Sequence, residues 1–344
     1  MKSIGWMAVS AVAVALAPTG AGAQDVSGFY KSKALEVYVG SDVGGGYNAY
    51  ARTVGMHIGK YVPGKPDVIV KNMPGAGGRK LTAWLANVAP KDGSVVAASQ
   101  PGSLVDSVLG DVKNAKYDPR TFGYVGSAES SVYLCVARKD AAVKTFADAL
   151  DKQVLIGASS RGASTLDTAL LLKNVLGVKF KMVKGYKGSH DIILALERNE
   201  VQGICGYAWS SLLATAGHLV RENKLNLLVQ YAIDANPDAT KAGVPEIWKF
   251  VKTKEQRDIL ELALSPLSFG RPFFVPAGVP KERLAALRAA FDKTMKDPDY
   301  IAAAKKQKLD VSPASGEKVQ ALIAKMYAAP KDLQEKTKKA LYTE

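Results

Sequence analysis

Cysteine and histidine are scarce in this 344-residue chain, with two of the first and three of the second, and the scarcity narrows the chemistry available to it. Cys135 and Cys205 match no metal-ligand spacing. Each sits inside an apolar, strand-like run, Val132 to Ala137 and Val201 to Tyr207. They read as buried free thiols rather than as a bridge, although an oxidising compartment permits one. His57 falls in the middle of a helical pattern, and His190 and His218 have no ligand spacing around them. The chain has no G-x-S-x-G elbow, no H-E-x-x-H and no Gly-Lys-Ser/Thr after a glycine loop, so no catalytic residue and no metal site is nominated. The formal net charge is +14, yet the lysines are scattered, as at Lys305-Lys306 and Lys338-Lys339, without an aromatic-interleaved basic stripe. A nucleic-acid partner is therefore not expected. Solvated faces account for most of the excess, and a field that draws in small acids for the rest.

Long hydrophobic runs are also missing after the first residues, where one short run is present. Lys2 gives a positive start, Ile4 to Ala17 is apolar, and Ala21-Gly22-Ala23 is an A-x-A cleavage site before Gln24. These are the three parts of a secretory signal peptide, expected to span residues 1–23. The run is too short to anchor in a bilayer, and no Cys follows for lipid attachment. The mature protein is expected to be exported, to the periplasm.

The remaining chain of about 320 residues exceeds what one hydrophobic core usually serves, so two domains are expected. Strand-like and helical runs alternate. Leu35 to Val39, Val68 to Val70 and Val95 to Ala98 read as strands. A helix with Tyr50, Val54, Ile58 and Tyr61 on one face follows the first, and one with Leu81, Trp84, Leu85 and Val88 follows the second. After Phe122 the pattern restarts, with strands at Val132 to Ala137, Val154 to Ile156, Phe180 to Val183, Gly203 to Tyr207 and Leu225 to Gln230. Helices are expected from Thr165 to Leu176, opened by a Ser164-x-x-Asp167 capping box, and from Ser189 to Asn199. The tail from Pro280 is helical, with stripes at Leu284, Leu287, Phe291, Met295 and at Val319, Leu322, Ile323, Met326. The alternation argues an α/β fold with parallel sheets covered on both faces. A second α/β unit set inside the first and joined by two crossing strands fits it: residues 24–128 and 232–344 in one lobe, 129–231 in the other.

Two strand-to-helix loops carry the candidate chemistry. Gly44-Gly45-Gly46-Tyr47-Asn48 precedes a helix, with Asn48 a suitable N-cap. Glycines let backbone N–H groups approach a ligand, and the helix N-terminus favours an anion. The segment also satisfies the G-x-G-x-x-A dinucleotide fingerprint, but Lys71 and Asn72 stand where that site needs an acid; no cofactor is expected. A plain tight turn is the alternative. The second loop, Gly157 to Thr165, brings Ser159, Ser160, Ser164, Thr165 and Arg161 to another helix start. A well-capped helix in a polar turn is the alternative there.

With Asn72-Met73-Pro74-Gly75-Ala76-Gly77, Ala89-Pro-Lys-Asp-Gly93, Tyr186-Lys187-Gly188, Gly243-Val-Pro-Glu246 and Pro276-Ala-Gly-Val-Pro280, these loops in this order resemble the extracytoplasmic binding proteins of the tripartite tricarboxylate transporter family. The resemblance covers nearly the whole mature chain. It implies a type II periplasmic-binding-protein fold whose lobes close on a carboxylate. It also implies a clamp of one loop per lobe, Ser41 to Asn48 and Ser159 to Thr165. By the same match Gln100, Lys187, Gly188 and Ser189 should line the cleft, with Tyr207 and Trp209 covering the distal part of the ligand. Two departures stand out. The family usually has Asp in place of Asn48, and often a Pro-aromatic pair in place of Gly40-Ser41. The first removes a negative charge near the ligand and the second a bulky wall, and together they speak against the usual small dicarboxylate and leave room for an aromatic or larger acid. The expected partners are a small organic anion and the integral membrane permease subunits, with the receptor a monomer. Competing readings are a sensor that reports to a membrane histidine kinase and an exported hydrolase, the latter needing a nucleophile that the chain does not nominate.

Overall fold

The computed structural model describes residues 21–344 apart from 42, 44, 45, 111–115, 160–162 and 187. The leader up to residue 20 and the expected site residues Gly44, Gly45, Ser160, Arg161 and Lys187 lie outside the described residues. The strands are β1 Leu35–Val39, β2 Val68–Asn72, β3 Val95–Ala98, β4 Gly123–Ser127, β5 Tyr133–Arg138, β6 Val154–Gly157, β7 Phe180–Val183, β8 Gly203–Ala208, β9 Leu225–Tyr231, β10 Pro272–Val275 and β11 Ala314–Ser315. They form two sheets, one in the order β11-β4-β10-β3-β1-β2 and one in the order β7-β6-β8-β5-β9.

Branched apolar runs become the inner strands because both of their faces can be buried. All of β3 is buried, whereas β1 alternates, with Leu35, Val37 and Val39 inward. β2 lies at an edge and is half exposed. Its Lys71 pairs with Glu36 at 2.6 Å, which suits an edge that must not recruit another strand. The sheets are mixed, not parallel throughout. β2-β1-β3 and β7-β6-β8 are parallel, but β10 runs antiparallel to β3 and β4, and β5 antiparallel to β8 and β9. The chain leaves the first sheet after β4 and rejoins it at β10, so each sheet gains strands of reversed direction. In β10 the neighbours Phe273 and Phe274 point to opposite faces. Phe273 meets Phe291 at 5.4 Å, and Phe274 stacks on Phe122 at 5.3 Å.

The expected helical stripes are buried at Leu81 and Leu85, at Leu287, Phe291 and Met295, and at Val319, Ile323 and Met326. Val88 is instead exposed, because helix Arg79–Asn87 ends before it, and Tyr61 lies past the end of helix Gly46–Ile58. Two expected caps are absent. Asn48 is inside helix Gly46–Ile58, two residues beyond its start. Ser164 is the first residue of helix Ser164–Leu176, whose N-cap Ala163 has no side chain that can cap. A reciprocal capping box does occur at Thr253 and Gln256, opening helix Lys254–Leu264.

Cys135 and Cys205 are joined by a disulfide, which corrects the expectation of free thiols. The two runs are adjacent antiparallel strands, β5 and β8, and the register shift between Leu134 and Val136 brings the cysteines opposite each other, Cα to Cα 4.0 Å. One apolar cluster runs between the sheets, from Leu81 and Tyr124 through Leu260 and Ile323 to Leu171 and Phe180. The C-terminal helix Lys331–Tyr342 packs on helix Ser164–Leu176, where Asn174 Nδ2 donates to the carbonyls of Ala340 and Thr343 at 3.0 and 2.7 Å. No helix among the described residues is long and apolar enough to cross a membrane.

Candidate functional site

The parallel strands of the two sheets direct their C-terminal ends, and the loops after them, at one cleft, the place where α/β sheets bind ligands. A cavity of about 440 Å³ lies there. Tyr47, Arg79, Gln100, Leu267 and Arg271 line it from the first lobe, Tyr133, Ser164 and Thr168 from the second, and Ser131 from the crossing between them. A larger hollow of about 570 Å³ lies between helices Lys254–Leu264 and Lys331–Tyr342. There surface charges pair with each other, as Lys336 does with Glu255 at 2.6 Å.

On the first-lobe side the loop residues are fixed by a polar network. Asn48 Oδ1 accepts from Arg52 Nε at 3.1 Å and from Asn72 Nδ2 at 3.0 Å. Asn72 Nδ2 also donates to the Ser41 carbonyl at 2.8 Å, and its Oδ1 accepts from Arg52 Nη2 at 3.2 Å. Asn48 therefore holds the loop after β1 in place; it neither caps the helix nor lines the cavity. The glycine block after β2 turns through Gly78 at φ 85°, and a Cβ there would meet Ser99 Oγ at 2.0 Å and Gln100 Oε1 at 2.2 Å. Only glycine lets Gln100 reach the cavity wall at that point. Arg79, next in the chain, is gripped by Asp106 through Nε–Oδ2 at 2.5 Å and Nη2–Oδ1 at 2.8 Å.

On the second-lobe side two of the described hydroxyls, those of Ser164 and Thr168, are committed to protein carbonyls. Ser164 Oγ donates to the Gly206 carbonyl at 2.8 Å, Ser159 N–H donates to Thr165 Oγ1 at 3.1 Å, and Thr168 Oγ1 donates to the Ser164 carbonyl at 2.6 Å. Gly206 at φ 70° must be glycine, since a Cβ would lie 2.2 Å from the Ser164 carbonyl oxygen. Ser164 lines the cavity, whereas Ser159 and Thr165 are buried behind it. Tyr207 and Trp209 do not cover the cavity. Both are buried in the second-lobe core, where the Tyr207 hydroxyl bonds Thr215 Oγ1. Gly188 precedes helix Ser189–Glu197 in extended conformation, and neither Gly188 nor Ser189 is among the lining residues. Gly46 opens its helix beside Arg271.

Arg271 is the residue that sequence reasoning missed. It stands directly before β10, in Phe269-Gly-Arg-Pro-Phe-Phe-Val275. A lone charge inside an otherwise apolar segment is the signal that points to it. Its guanidinium lies 4.4 Å from the Tyr47 ring centroid and 5.0 Å from that of Tyr50. Nη1 donates to the Gly270 carbonyl at 2.9 Å, and Nη2 is 3.2 Å from Oε2 of the buried Glu129. That approach is an ion pair without hydrogen-bond alignment, and Nε is buried with no partner among the described residues. Burial raises the Glu129 carboxyl above the usual carboxylate range, with Arg271 pulling the other way. Burial likewise pushes the Tyr47 hydroxyl up to about 12. Among the described residues no cluster of His, Cys, Asp and Glu is arranged to hold a metal ion.

The model of the tripartite tricarboxylate transporter family receptor matches residues 51–338. Among solved structures, a TctC solute-binding protein from Polaromonas is 23% identical with a TM-score of 0.71, over 89% of this chain and 99% of that one. MatC from Rhodopseudomonas palustris, with bound malate, is 21% identical with a TM-score of 0.59, over 88% and 99%. Rpa4515 from R. palustris, with adipate, is 17% identical with a TM-score of 0.62, over 89% and 97%. At these identities the likeness establishes the two-lobe fold. No curated protein matches the chain.

Proposed function

This chain belongs to the tripartite tricarboxylate transporter receptor family, and we propose from that premise that it captures a small organic acid and delivers it to the permease subunits of such a transporter. The observation that carries the reading is the cleft itself. A cavity of about 440 Å³ between two lobes, with a guanidinium at its base and a helix N-terminus beside it, is built to hold an anion. Structures of similar fold contain malate and adipate, which supports a carboxylate as that anion. The chain acts as a receptor and not as an enzyme, as a monomer, in the periplasm after cleavage behind Ala23. Lobe 1 comprises residues 24–128 and 232–344, lobe 2 residues 129–231, and closure occurs at the crossings near 125–131 and 228–233.

The test is a thermal melt of the mature protein, freed of retained ligand, against a panel of organic acids. An acid present at about 100 times its dissociation constant raises stability by roughly 2.7 kcal/mol. A panel without any shift overturns the reading, and mass spectrometry of ligand released on denaturation names the acid directly.

A further inference from the structure

We propose that Arg271 and the first turn of helix Gly46–Ile58 form the seat of a single carboxylate, and that the ligand is a monocarboxylic acid with a flat apolar body. The proposal rests on the receptor reading above and narrows it.

Arg271 sits where three parts of the chain meet. Its backbone N–H donates to Ser127 Oγ at 3.1 Å, at the end of β4, and its carbonyl accepts from Ala128 N–H at 3.1 Å. Its side chain reaches the first-lobe helix through Tyr47 and Tyr50 and shares the cavity lining with Tyr133 of β5. A guanidinium held between two rings and one carboxylate is pre-organised, and its planar fork suits a second carboxylate in the cavity. A Cβ on Gly46 would lie 3.8 Å from Nη2, so the guanidinium faces the opening turn of a 13-residue helix. Two positive features therefore converge, and Glu129 stands behind them as the paired counter-charge among the described residues. Such a convergence is favourable when an anion lies between its members.

The rest of the lining decides the class of acid. Pro101, Pro266, Leu267 and Tyr133 supply the apolar part of a lining that also carries Gln100, Ser131 and Thr168. The other described cation on the wall, Arg79, is already held by both oxygens of Asp106. A dicarboxylate would press its second charge against that wall without an open cationic partner among the described residues, and such burial is costly. A planar hydrocarbon body gains there instead.

Titration calorimetry on the full mature chain, freed of retained ligand, tests both parts with benzoate, benzamide, malate and adipate. Benzoate is expected to bind, with benzamide about 100-fold weaker because the charge is lost, and with malate and adipate at least about tenfold weaker. The double substitution Arg271→Met, Glu129→Gln removes both buried charges together and leaves neither unpaired. It is expected to weaken benzoate about 100-fold in protein that melts cooperatively. Should the double variant not fold, Arg271→Lys keeps the charge and loses the fork, with a loss of about tenfold expected. Benzoate bound equally well by a folded Arg271 variant overturns the seat. Malate or adipate bound in preference to benzoate overturns the apolar body and leaves the receptor reading standing. Absence of binding by every acid of a broad panel overturns that reading, and this proposal with it.

Discussion

The two walls of the cleft are built differently. On the first-lobe wall, side-chain amides and an arginine hold the loop after β1 from behind, through Asn48, Asn72 and Arg52, and the base carries the Arg271 guanidinium. On the second-lobe wall, the hydroxyl of Ser164 gives its proton to the Gly206 carbonyl in β8 and that of Thr168 to the Ser164 carbonyl one turn earlier in its helix, and a disulfide crosses the sheet beneath. The contrast teaches that abundance of donors in a loop does not make that loop the anion site. The proposed seat places charge recognition at the base and the first wall, where Arg271 Nε has no partner among the described residues.

The largest way to break this comparison is to remove the covalent tie that only the second lobe has. Cys135 and Cys205 are 70 positions apart, and loss of a native bridge of that span costs roughly 2–5 kcal/mol. The double substitution Cys135→Ala, Cys205→Ala should lower the melting temperature by many degrees. Hydrogen exchange should rise in β5 and β8 more than in β1 and β3. A uniform rise across both sheets would show that the apolar cluster shared by the lobes, and not the bridge, sets the stability of the second one.

Next in size is the polar scaffold of the first wall. Asn48→Ala leaves Arg52 Nε and one proton of Asn72 without an acceptor, at a cost of about 1–3 kcal/mol. Asn48→Asp keeps both contacts and adds an ion pair with Arg52, so stability should be retained. The added negative charge near the ligand should weaken anion binding modestly. A pair of melting curves and binding isotherms checks both. If Asn48→Ala binds and melts as the parent does, the loop is held by something other than this network.

Much of the architecture was legible in the sequence. The apolar runs of β3, β5 and β9 announce strands because burial on both faces demands such residues, and β1 announces one by its branched, alternating pattern. The glycine-rich loops announce close backbone approach, which Gly78 shows at the Gln100 contact. β10 was not legible: Pro272-Phe-Phe-Val275 is four residues long, begins with proline and shows no alternation, since each phenylalanine serves a different face. The candidate site was legible only in part. Tyr47, Gln100 and Ser164 line the candidate cavity, but a hydroxyl's bonding partner depends on loop geometry that residue types do not encode. Arg271 takes its meaning from Tyr47, Tyr50 and Glu129, which are remote in sequence and meet it only in the fold. The bridge escaped for a similar reason, because only the pairing and register of β5 with β8 bring Cys135 to Cys205.

A smaller effect follows from pH. Glu129 faces Arg271, Asp310, Ser131 and Tyr50, and its carboxyl is raised above the unfolded value by burial. Between those two values the native protein holds a proton that the unfolded chain lacks, so stability falls as pH rises through the raised value. Protonated Glu129 also leaves the Arg271 charge uncompensated. Affinity for an acid should therefore increase as pH falls through the same window, until the ligand itself is protonated. Isotherms at several pH values check the slope, and Glu129→Gln should flatten it. A slope that survives Glu129→Gln assigns the proton to another group.

The smallest effect is expected at Ser164, and it separates the two walls most sharply. The residue types around it suggest both a helix cap and a ligand donor. The structure gives it neither cap geometry nor a free proton, because Oγ donates to the Gly206 carbonyl at 2.8 Å. Ser164→Ala removes that one hydrogen bond and leaves the carbonyl, already closed in by the loop, short of a donor. The loss should be about 1 kcal/mol of stability, without the additional penalty of an uncapped helix. Affinity should change less than about threefold, in contrast to the roughly 100-fold loss expected at Arg271. A large loss of affinity in folded Ser164→Ala protein would mean that the hydroxyl turns from Gly206 to the ligand on binding, and would move part of the charge recognition to the second wall.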